Sequence, residues 1–317
     1  MNVPPSAKFE IIREVLQRND NVLSVGMLCE AANVSRSGYY RYVAAEEERE
    51  AKEMRDQEDF NLILEAFLFR GYTKGARSIY MRLLHMDPPV VMNIKKIRRL
   101  MKKYGLKCPI RKANPYRSMK KDALEATIAP NLVNREFEQH GARTVLLTDI
   151  TYIINGKAPR CYMSTIIDAC TKELLAWTLS STLQLDFVLE TVNNLIRDYG
   201  VSLTAETMIH SDQGSHYRSI KFSQLVKDYE LRQSMSRKAN CWDNAPQESF
   251  FGHMKDEIDI SQCETFEEIY AVIEAWTDYY NNDRYQWDLA KLSPREYYRY
   301  ISTGEYPLYI PKAKGVG

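Results

Sequence analysis

Hydrophobic residues recur at helical spacing through the first third of the chain. Between residues 8 and 19, for example, Phe9, Ile12 and Leu16 lie three or four positions apart and therefore share one helix face. Residues 24–42 read as two helices separated by a short turn, in which Ser35 can cap the second helix, as is typical of a helix-turn-helix. The pattern predicts helices over residues 8–19, 24–42, 44–69, 76–85 and 90–104.

After Gly141 the pattern changes to short runs of β-branched and apolar residues, as expected for buried strands. Helical segments separate the later runs. We predict strands over residues 143–154, 160–169, 173–180, 206–211 and 231–235, and helices over residues 184–199, 217–229, 244–257 and 266–281. The resulting order, βββαβαβα, is that of an α/β layer architecture that follows an all-α N-terminal region.

Breaks in these patterns divide the chain into five regions. Pro109, Pro115 and Pro130 interrupt a stretch that we interpret as a linker. The C-terminal stretch is rich in tyrosine, which we expect to pack a helical extension onto the core, although bases can also stack on such rings. The expected regions are a helix-turn-helix-like region at 1–45, a second helical DNA-binding region with a basic end at 46–110, the linker at 111–141, an α/β core at 142–258 and the aromatic-rich extension at 259–317.

Charge is distributed unevenly along the chain, although the net charge is only +1. Residues 1–121 hold 24 basic and 14 acidic residues, whereas residues 122–317 hold 19 basic and 28 acidic residues. Twelve basic residues and no acidic ones fall between residues 95 and 121. Because like charges repel, this run favours a nucleic-acid partner over a merely solvated helix face. The candidate nucleic-acid-binding residues are Lys95, Lys96, Arg98, Arg99, Lys102, Lys103, Lys107, Arg111 and Lys112.

Several classes of protein are disfavoured by features that the sequence lacks. No apolar run reaches the roughly 18 residues of a membrane span, and charged residues near the N-terminus interrupt any signal-peptide core, so we expect a cytoplasmic protein without a membrane partner. The six cysteines form no C-x-x-C pair, which disfavours a disulfide framework or a structural zinc site. The motifs of dinucleotide-binding enzymes, P-loop NTPases, serine hydrolases and zinc proteases are absent.

Three acidic residues occupy positions that suggest metal-dependent chemistry. Asp149 interrupts a buried strand, Asp212 follows the end of another strand, and Glu248 lies in the first turns of a predicted helix. Strand ends and a nearby helix can bring such acids together, and a divalent metal is then the natural counter-ion, because Mg²⁺ prefers carboxylate and phosphate oxygens. Lys255 lies seven residues beyond Glu248, about 10 Å along the same helix face, where it can hold a phosphate.

Other polar residues near these acids have structural interpretations. Asp168 lies at a strand end. We expect it either to have a structural role or to support the three acidic residues without belonging to the site. For His210, a packed strand residue and a site residue are equally good interpretations. Pro246 suits the first turn of the helix that carries Glu248, and Gln247 is expected to form a capping box with Asn244.

Two long blocks of sequence carry a family resemblance. IHSDQGSHY (209–217) and SMSRKANCWDNAPQESFFGHMKDE (234–257) closely resemble the OrfB-type transposases of the IS3 family of bacterial insertion sequences. That family's acidic triad has 35 residues between its second and third acids and a basic residue seven positions after the third, and Asp212, Glu248 and Lys255 match both spacings. The shorter matching blocks are VSRSGYY (34–40), IKKIRRLMKKYGLK (94–107), LTDITYI (147–153), YMSTIIDA (162–169), YYNNDR (279–284) and LSPREYY (292–298).

The resemblance implies an RNase H-like, retroviral-integrase-like catalytic core at 142–258. It also implies a DDE transposase that cleaves the 3′ ends of its element and joins them to target DNA, with two Mg²⁺ ions for which Mn²⁺ can substitute. By the same resemblance, Asp149 would bridge both ions, Asp212 and Glu248 would each hold one, and Lys255 would touch the terminal DNA.

The resemblance further implies partners. These are double-stranded DNA, as the element's terminal inverted repeats and as target, and other copies of the chain in a dimer or larger homo-oligomer on DNA. In many family members an upstream reading-frame product is fused to this one and recognises the terminal repeats. The chain departs from retroviral integrases in lacking their N-terminal zinc module, and from many family members in having Ala239 and Trp242 in place of Gly and Tyr.

Other functions stay open from the sequence. The chain could be a catalytically inactive DNA-binding repressor of its own element, although the intact acids argue against this. It could also be an RNase H-fold nuclease that cuts DNA without joining it. A tyrosine recombinase is disfavoured because the H-x-x-R string at residues 140–143 runs into a strand instead of lying on a helix.

Overall fold

The computed structural model describes residues 3–72, 74–108, 140–154, 160–236 and 245–308. These residues contain eleven α-helices and five β-strands. The chain divides into two compact units, Met1–Leu64 and Glu65–Gly317. Among the helices of the described ranges, none is both long enough and apolar enough to cross a membrane.

The first unit is built on three short helices, which are α1 (Pro5–Leu16), α2 (Val25–Ala31) and α3 (Arg36–Ala44). Their apolar faces meet in one cluster around Phe9, Ile12, Leu28, Cys29 and Tyr39. The hydroxyl oxygens of Ser24 and Ser35 accept hydrogen bonds from backbone N–H groups in the first turns of α2 and α3, which fixes where each helix begins. The predicted helix pair at 24–42, including its Ser35 cap, is therefore confirmed.

Three further helices follow in the chain, namely α4 (Glu46–Leu68), α5 (Ala76–Leu84) and α6 (Ile94–Lys103). In α6 the apolar side chains of Ile97, Leu100 and Met101 are buried. The opposite face is exposed and basic, because Lys95, Arg98, Arg99, Lys102 and Lys103 all lie on it. Lys107, just beyond the helix, is exposed as well, and Lys96 is half-buried. Arg111 and Lys112, the last two candidates of the basic run, lie outside the described residues.

The second unit is centred on one mixed sheet. Its strands are β1 (Val145–Ile153), β2 (Cys161–Asp168), β3 (Leu174–Ser180), β4 (Met208–Ser211) and β5 (Arg232–Met235). They lie in the order β3-β2-β1-β4-β5. Strands β1, β2 and β3 form an antiparallel meander, whereas β4 pairs in parallel with both β1 and β5.

Five more helices lie in the second unit, in the core around the sheet and in the C-terminal extension. They are α7 (Asp186–Tyr199), α8 (Ile220–Asp228), α9 (Ala245–Glu257), α10 (Phe266–Asn282) and α11 (Pro294–Thr303). The observed order of β1–β5 and α7–α9 confirms the predicted βββαβαβα pattern. Thr265 and Ser293 form capping boxes that begin α10 and α11.

Alternation along β1 divides the core into two layers. Val145, Leu147 and Ile153 belong to the cluster that also holds Phe250 of α9 and the buried residues of α10. Leu146, by contrast, belongs to the cluster on the other side of the sheet, with α7 and α8. An odd-numbered residue of β1 such as Asp149 therefore lies on the side of the sheet that α9 covers.

Aromatic residues of the C-terminal extension pack as the sequence predicts. Trp276, Tyr279 and Tyr280 of α10 are buried in the core cluster of the sheet. Further along, the ring of Tyr285 stacks on the ring of His85 at the end of α5, with centroids 3.6 Å apart. The α5–α6 pair thus packs against the extension, although about 200 residues separate the two in sequence.

Candidate functional site

Asp149 and Asp212 lie at the edge of the sheet where the parallel pairing of β1 with β4 ends, although β1 itself continues to Ile153. In the parallel pairing of β1 with β4, Leu147 lies opposite His210. Asp149 comes two residues after Leu147, and Asp212 comes two residues after His210. The carboxyl ends of adjacent parallel strands lie side by side, and this is a common place for ligand sites in α/β proteins.

The pKa of Asp149 responds to the charges of the other acids predicted from the sequence. Burial raises the pKa of Asp149 to about 7, and the charges of Asp212 and Glu248 add to this effect. A hydrogen bond of 2.7 Å from the backbone N–H of Ile150 to Oδ1 of Asp149 acts in the opposite direction. The charge of Lys255 also lowers the pKa of Asp149. The charges of the other three residues singled out from the sequence therefore all act on the carboxyl group of Asp149.

Asp212 is held by the loop that follows β4. Its Oδ1 accepts a hydrogen bond of 2.8 Å from the backbone N–H of Gly214. A Cβ at position 214 would come within 2.8 Å of the same oxygen, so a side chain there would displace the carboxylate. The buried Tyr217 ring packs in the cluster on the other side of the sheet, and its hydroxyl lies 3.5 Å from Oγ1 of Thr148, the residue before Asp149.

Glu248 enters the site from the first turn of α9, where its side chain is exposed. The neighbouring Gln247 is fully buried, and its Nε2 donates a hydrogen bond to Oγ1 of Thr165 on β2. Thr165 lies directly opposite Asp149 in the β1–β2 pairing, so their side chains share the face of the sheet under α9. The Gln247–Thr165 hydrogen bond therefore ties the start of α9, the helix that carries Glu248, to the strand position opposite Asp149.

This position of Gln247 was not expected from the sequence. A capping box with Asn244 was predicted, but Asn244 lies outside the described residues, and the amide nitrogen of Gln247 is engaged by Thr165. Local sequence signals could not indicate the contact, because the two partners lie 82 residues apart.

For the DNA-joining activity that the sequence resemblance implies, we expect Gln247→Leu to lower the rate about tenfold, while it lowers the free energy of unfolding by only about 1 kcal/mol, since one buried hydrogen bond is lost. Half-saturation with Mg²⁺ should also move to a higher concentration, because Glu248 is less well placed. The measurements are a strand-transfer assay over a Mg²⁺ series and urea unfolding. Ser249→Ala, an exposed change on the same helix, is the control. If Thr165→Val and Gln247→Leu have additive effects on joining, the two side chains do not act as a pair.

Side-chain contacts also hold the C-terminal end of α9. Glu257 accepts a hydrogen bond of 3.0 Å from Nε1 of Trp276 and a two-pronged ion pair from Arg284. Lys255 lies near this anchored end, and its side chain is exposed. The helix is thus held at both ends, which fixes the spacing between Glu248 and Lys255 along one face.

Two polar residues near the acids have structural positions. Asp168 is fully buried, and its Oδ2 accepts hydrogen bonds from the backbone N and from the guanidinium of Arg143, at 2.9 and 3.1 Å. The same guanidinium pairs with buried Glu173 at 2.6 Å. His210 is also fully buried, with Nδ1 2.9 Å from Oγ of Ser234 on β5. These contacts agree with the structural interpretation of Asp168 and with the packing interpretation of His210.

The raised pKa of Asp149 predicts how the metal-free protein responds to pH. A carboxyl whose pKa rises on folding, here from 3.8 to about 7, stabilises the fold below about pH 4, and that contribution is lost as the pH rises through 7. Asp149→Asn should therefore raise the free energy of unfolding by about 2 kcal/mol at pH 8 and change it little at pH 4. Urea unfolding in EDTA at both pH values measures this, with exposed Asp288→Asn as the control. Equal effects of Asp149→Asn at the two pH values would contradict the prediction.

The donor set of this edge suits a hard divalent cation. Asp149 and Asp212 lie at it, the charge of Glu248 acts on Asp149, and Mg²⁺ is typically bound by one or two carboxylates together with waters and phosphate oxygens. Within the parts of the chain that the structure describes, no group of three or more Asp, Glu, His or Cys side chains lies close enough to hold one ion. An arrangement with two carboxylates to each of two ions needs no such group.

Family models match most of the described chain. Two models, each of an integrase core domain, match residues 139–241 and 229–294, and a model of an HTH-like domain matches residues 54–114. The first two matches contain Asp149, Asp212 and Glu248, and the third contains the basic helix α6.

Individual proteins are similar over long stretches. A putative transposase InsK for insertion sequence element IS150 of Escherichia coli (strain K12) is 32% identical over 210 residues, which are 65% of this chain and 71% of that protein. An uncharacterized transposase-like protein of Haemophilus influenzae is 33% identical over 210 residues, which are 66% of this chain and 94% of that protein. Among solved structures, a chain from a simian T-cell lymphotropic virus intasome aligns with a TM-score of 0.42 and 14% identity, over 80% of this chain and 78% of that chain.

Proposed function

The chain belongs to the IS3 family of bacterial insertion-sequence transposases with an integrase core, and we propose that it cleaves the 3′ ends of an insertion sequence and joins them to target DNA. Its fold is the expected α/β, RNase H-like core with an N-terminal helical, HTH-like region. The observation that supports the proposal is that Asp149 and Asp212 follow the paired segments of the parallel strands β1 and β4, and that the charges of Asp212 and Glu248 both act on Asp149.

The reaction would consist of a hydrolysis followed by a transesterification. Water would attack the phosphodiester at the end of the element and break the bond between phosphorus and the element's 3′ oxygen, so that a 3′-OH remains on the element and a 5′-phosphate on the flanking DNA. That 3′-OH then attacks a phosphodiester of the target, and the bond that breaks releases a new 3′-OH. Because each step exchanges one phosphodiester bond for another bond at the same phosphorus, the chain needs no nucleotide cofactor and no covalent protein–DNA intermediate.

We assign the metal-holding role to the three acids of the edge. Asp149 would be shared between two Mg²⁺ ions, and Asp212 and Glu248 would hold one ion each; Mn²⁺ has similar ligand preferences and would substitute. When bound, such ions activate the attacking oxygen and stabilise the leaving one. Burial of Asp149 beside two other acids supports this assignment, since its ionised form needs positive charge close by.

The remaining residues would position DNA. Lys255, exposed on the same helix as Glu248, is placed to hold a phosphate of the terminal DNA. The basic face of α6 is placed to bind the backbone of double-stranded DNA, because its five exposed cations lie side by side on one helix. Joining two ends of an element to one target requires that both ends be held together, so we also propose a dimer or a larger homo-oligomer on DNA.

Replacing Mg²⁺ by Ca²⁺ tests the proposed chemistry. Ca²⁺ should support assembly on a labelled duplex from the element's end but little cleavage or joining, since its looser coordination places the attacking oxygen poorly. Denaturing gels separate cleaved from joined products, and gel shifts report assembly. Cleavage without joining in Mg²⁺ would indicate a nuclease of the same fold, and binding with neither reaction would indicate a repressor. Normal joining in Ca²⁺ would contradict the two-metal assignment.

A further inference from the structure

We propose that the exposed face of α3 reads base edges in the major groove of duplex DNA, as a second DNA-binding surface distinct from the basic face of α6. This inference rests on the proposed action on DNA, but it concerns a part of the chain that the matched HTH-like domain, residues 54–114, does not cover. It assigns sequence discrimination to α3 and general affinity for phosphates to α6.

The backbone of α2 and α3 has the geometry of a helix-turn-helix. Helix α2 ends at Ala31, Asn33 adopts a left-handed conformation with φ 52° in the turn, and Ser35 caps α3. Helix α1 packs closely across α3, because a Cβ at Gly38 would come within 3.0 Å of the Phe9 ring. This close packing fixes which side of α3 faces inwards, and the nine-residue helix presents its other side to solvent.

The outward side carries the side chains that base reading needs. Arg36, Ser37, Tyr40 and Arg41 are all exposed, and their spacing places them along one stripe of the helix. Tyr40 is an aromatic residue left 59% exposed beside its buried neighbour Tyr39. Arginine recognises guanine through two hydrogen bonds in the major groove, and hydroxyl groups contact bases or phosphates.

The two arginines of this stripe differ from several other cations of the unit, which are engaged within it. Other cations are engaged inside the unit: Lys8 donates to the carbonyl oxygen of Ala32 at 2.8 Å, Arg13 pairs with Glu46, and Arg49 lies over the Tyr42 ring at 3.6 Å. Within the described residues, no ion pair joins Arg36 or Arg41 to a carboxylate, and residues 31–45 contain no Asp or Glu. The stripe is thus locally cationic and complementary to DNA.

The low net charge of the segment around α3 favours a role in selecting the DNA sequence over a role in general affinity for DNA. Residues 3–45 hold five basic and four acidic residues, whereas α6 has a basic face without any acidic residue. Non-specific attraction to DNA grows with the number of phosphates neutralised. A nearly neutral helical unit that presents two arginines therefore adds little general affinity, and its contribution lies in which bases it accepts.

Selection from a duplex library tests the inference on the full chain. The chain is mixed with duplexes randomised over 24 base pairs in EDTA, bound DNA is amplified over several rounds, and affinities are then measured for the enriched duplex and for a shuffled version of it. We expect Arg36→Gln with Arg41→Gln to reduce the preference for the enriched duplex at least tenfold. Its affinity for the shuffled duplex should change no more than about threefold.

Matched control variants distinguish a loss of sequence preference from a loss of affinity for any duplex. Arg18→Gln with Arg55→Gln makes the same charge change on exposed positions of the same unit and should leave the preference intact. Circular dichroism of each variant confirms that the helices remain. Equal loss of affinity for both duplexes, no loss for either, or failure of the unmodified chain to enrich any motif would each overturn the inference. Failure of the proposed chemistry is distinguishable, because it would leave this preference unchanged while joining is absent in Mg²⁺.

Discussion

Glu248→Gln should abolish both cleavage and joining while DNA binding stays near that of the unmodified chain. The substitution removes one negative charge at nearly constant shape, so the metal assigned to Glu248 loses a ligand just where the attacking or leaving oxygen must be stabilised. Loss of a group of this kind costs roughly 4 kcal/mol of transition-state stabilisation, which corresponds to a decrease in rate of about 10³-fold. A strand-transfer assay in Mg²⁺ measures the rate, and fluorescence anisotropy measures binding.

The same helix offers a matched control for Glu248. Asp256→Asn also converts an exposed carboxylate to an amide on α9, but it lies at the other end of the helix and should leave joining within about threefold of the unmodified rate. Strand-transfer yields that are comparable for Glu248→Gln and the unmodified chain would remove Glu248 from the catalytic set.

Neutralising Lys102, Lys103 and Lys107 together should weaken binding to every duplex and flatten its dependence on salt. Each phosphate contact contributes a slope of about −0.9 to the plot of log K against log salt concentration. Loss of three contacts should therefore reduce the slope by up to about 3 and the affinity at 0.1 M salt by up to about 500-fold. Fluorescence anisotropy of the full chain on one labelled duplex over a salt series measures both.

The control for that variant removes the same charge elsewhere. Lys52, Lys221 and Lys227 are exposed but do not belong to α6, so their combined neutralisation should leave the slope nearly unchanged. The full chain is the appropriate sample, because α5 packs against the C-terminal extension through the His85–Tyr285 stack. An unchanged slope in the Lys102, Lys103 and Lys107 variant would rule out DNA capture by α6.

The helices, the strands and the three candidate acidic residues of this protein could be predicted from local sequence signals. Helical and strand periods, turn residues and caps such as Ser35 are local signals, so the helix pair at 24–42 and the βββαβαβα order could be read directly. The sequence also indicated that Asp149 lies within a strand and that Asp212 follows one, and the structure has them at these positions on the adjacent parallel strands β1 and β4.

The contacts that hold the elements around the site could be seen only in the tertiary structure. Gln247 and Thr165 are 82 residues apart, and their hydrogen bond depends on the β1–β2 register and on where α9 crosses the sheet. The stack of His85 on Tyr285 joins regions that the sequence had divided between a DNA-binding part and an extension. Contacts of this kind leave no periodic signal, because each depends on the packing of whole elements, whereas periodicity reports only which face of one element is apolar.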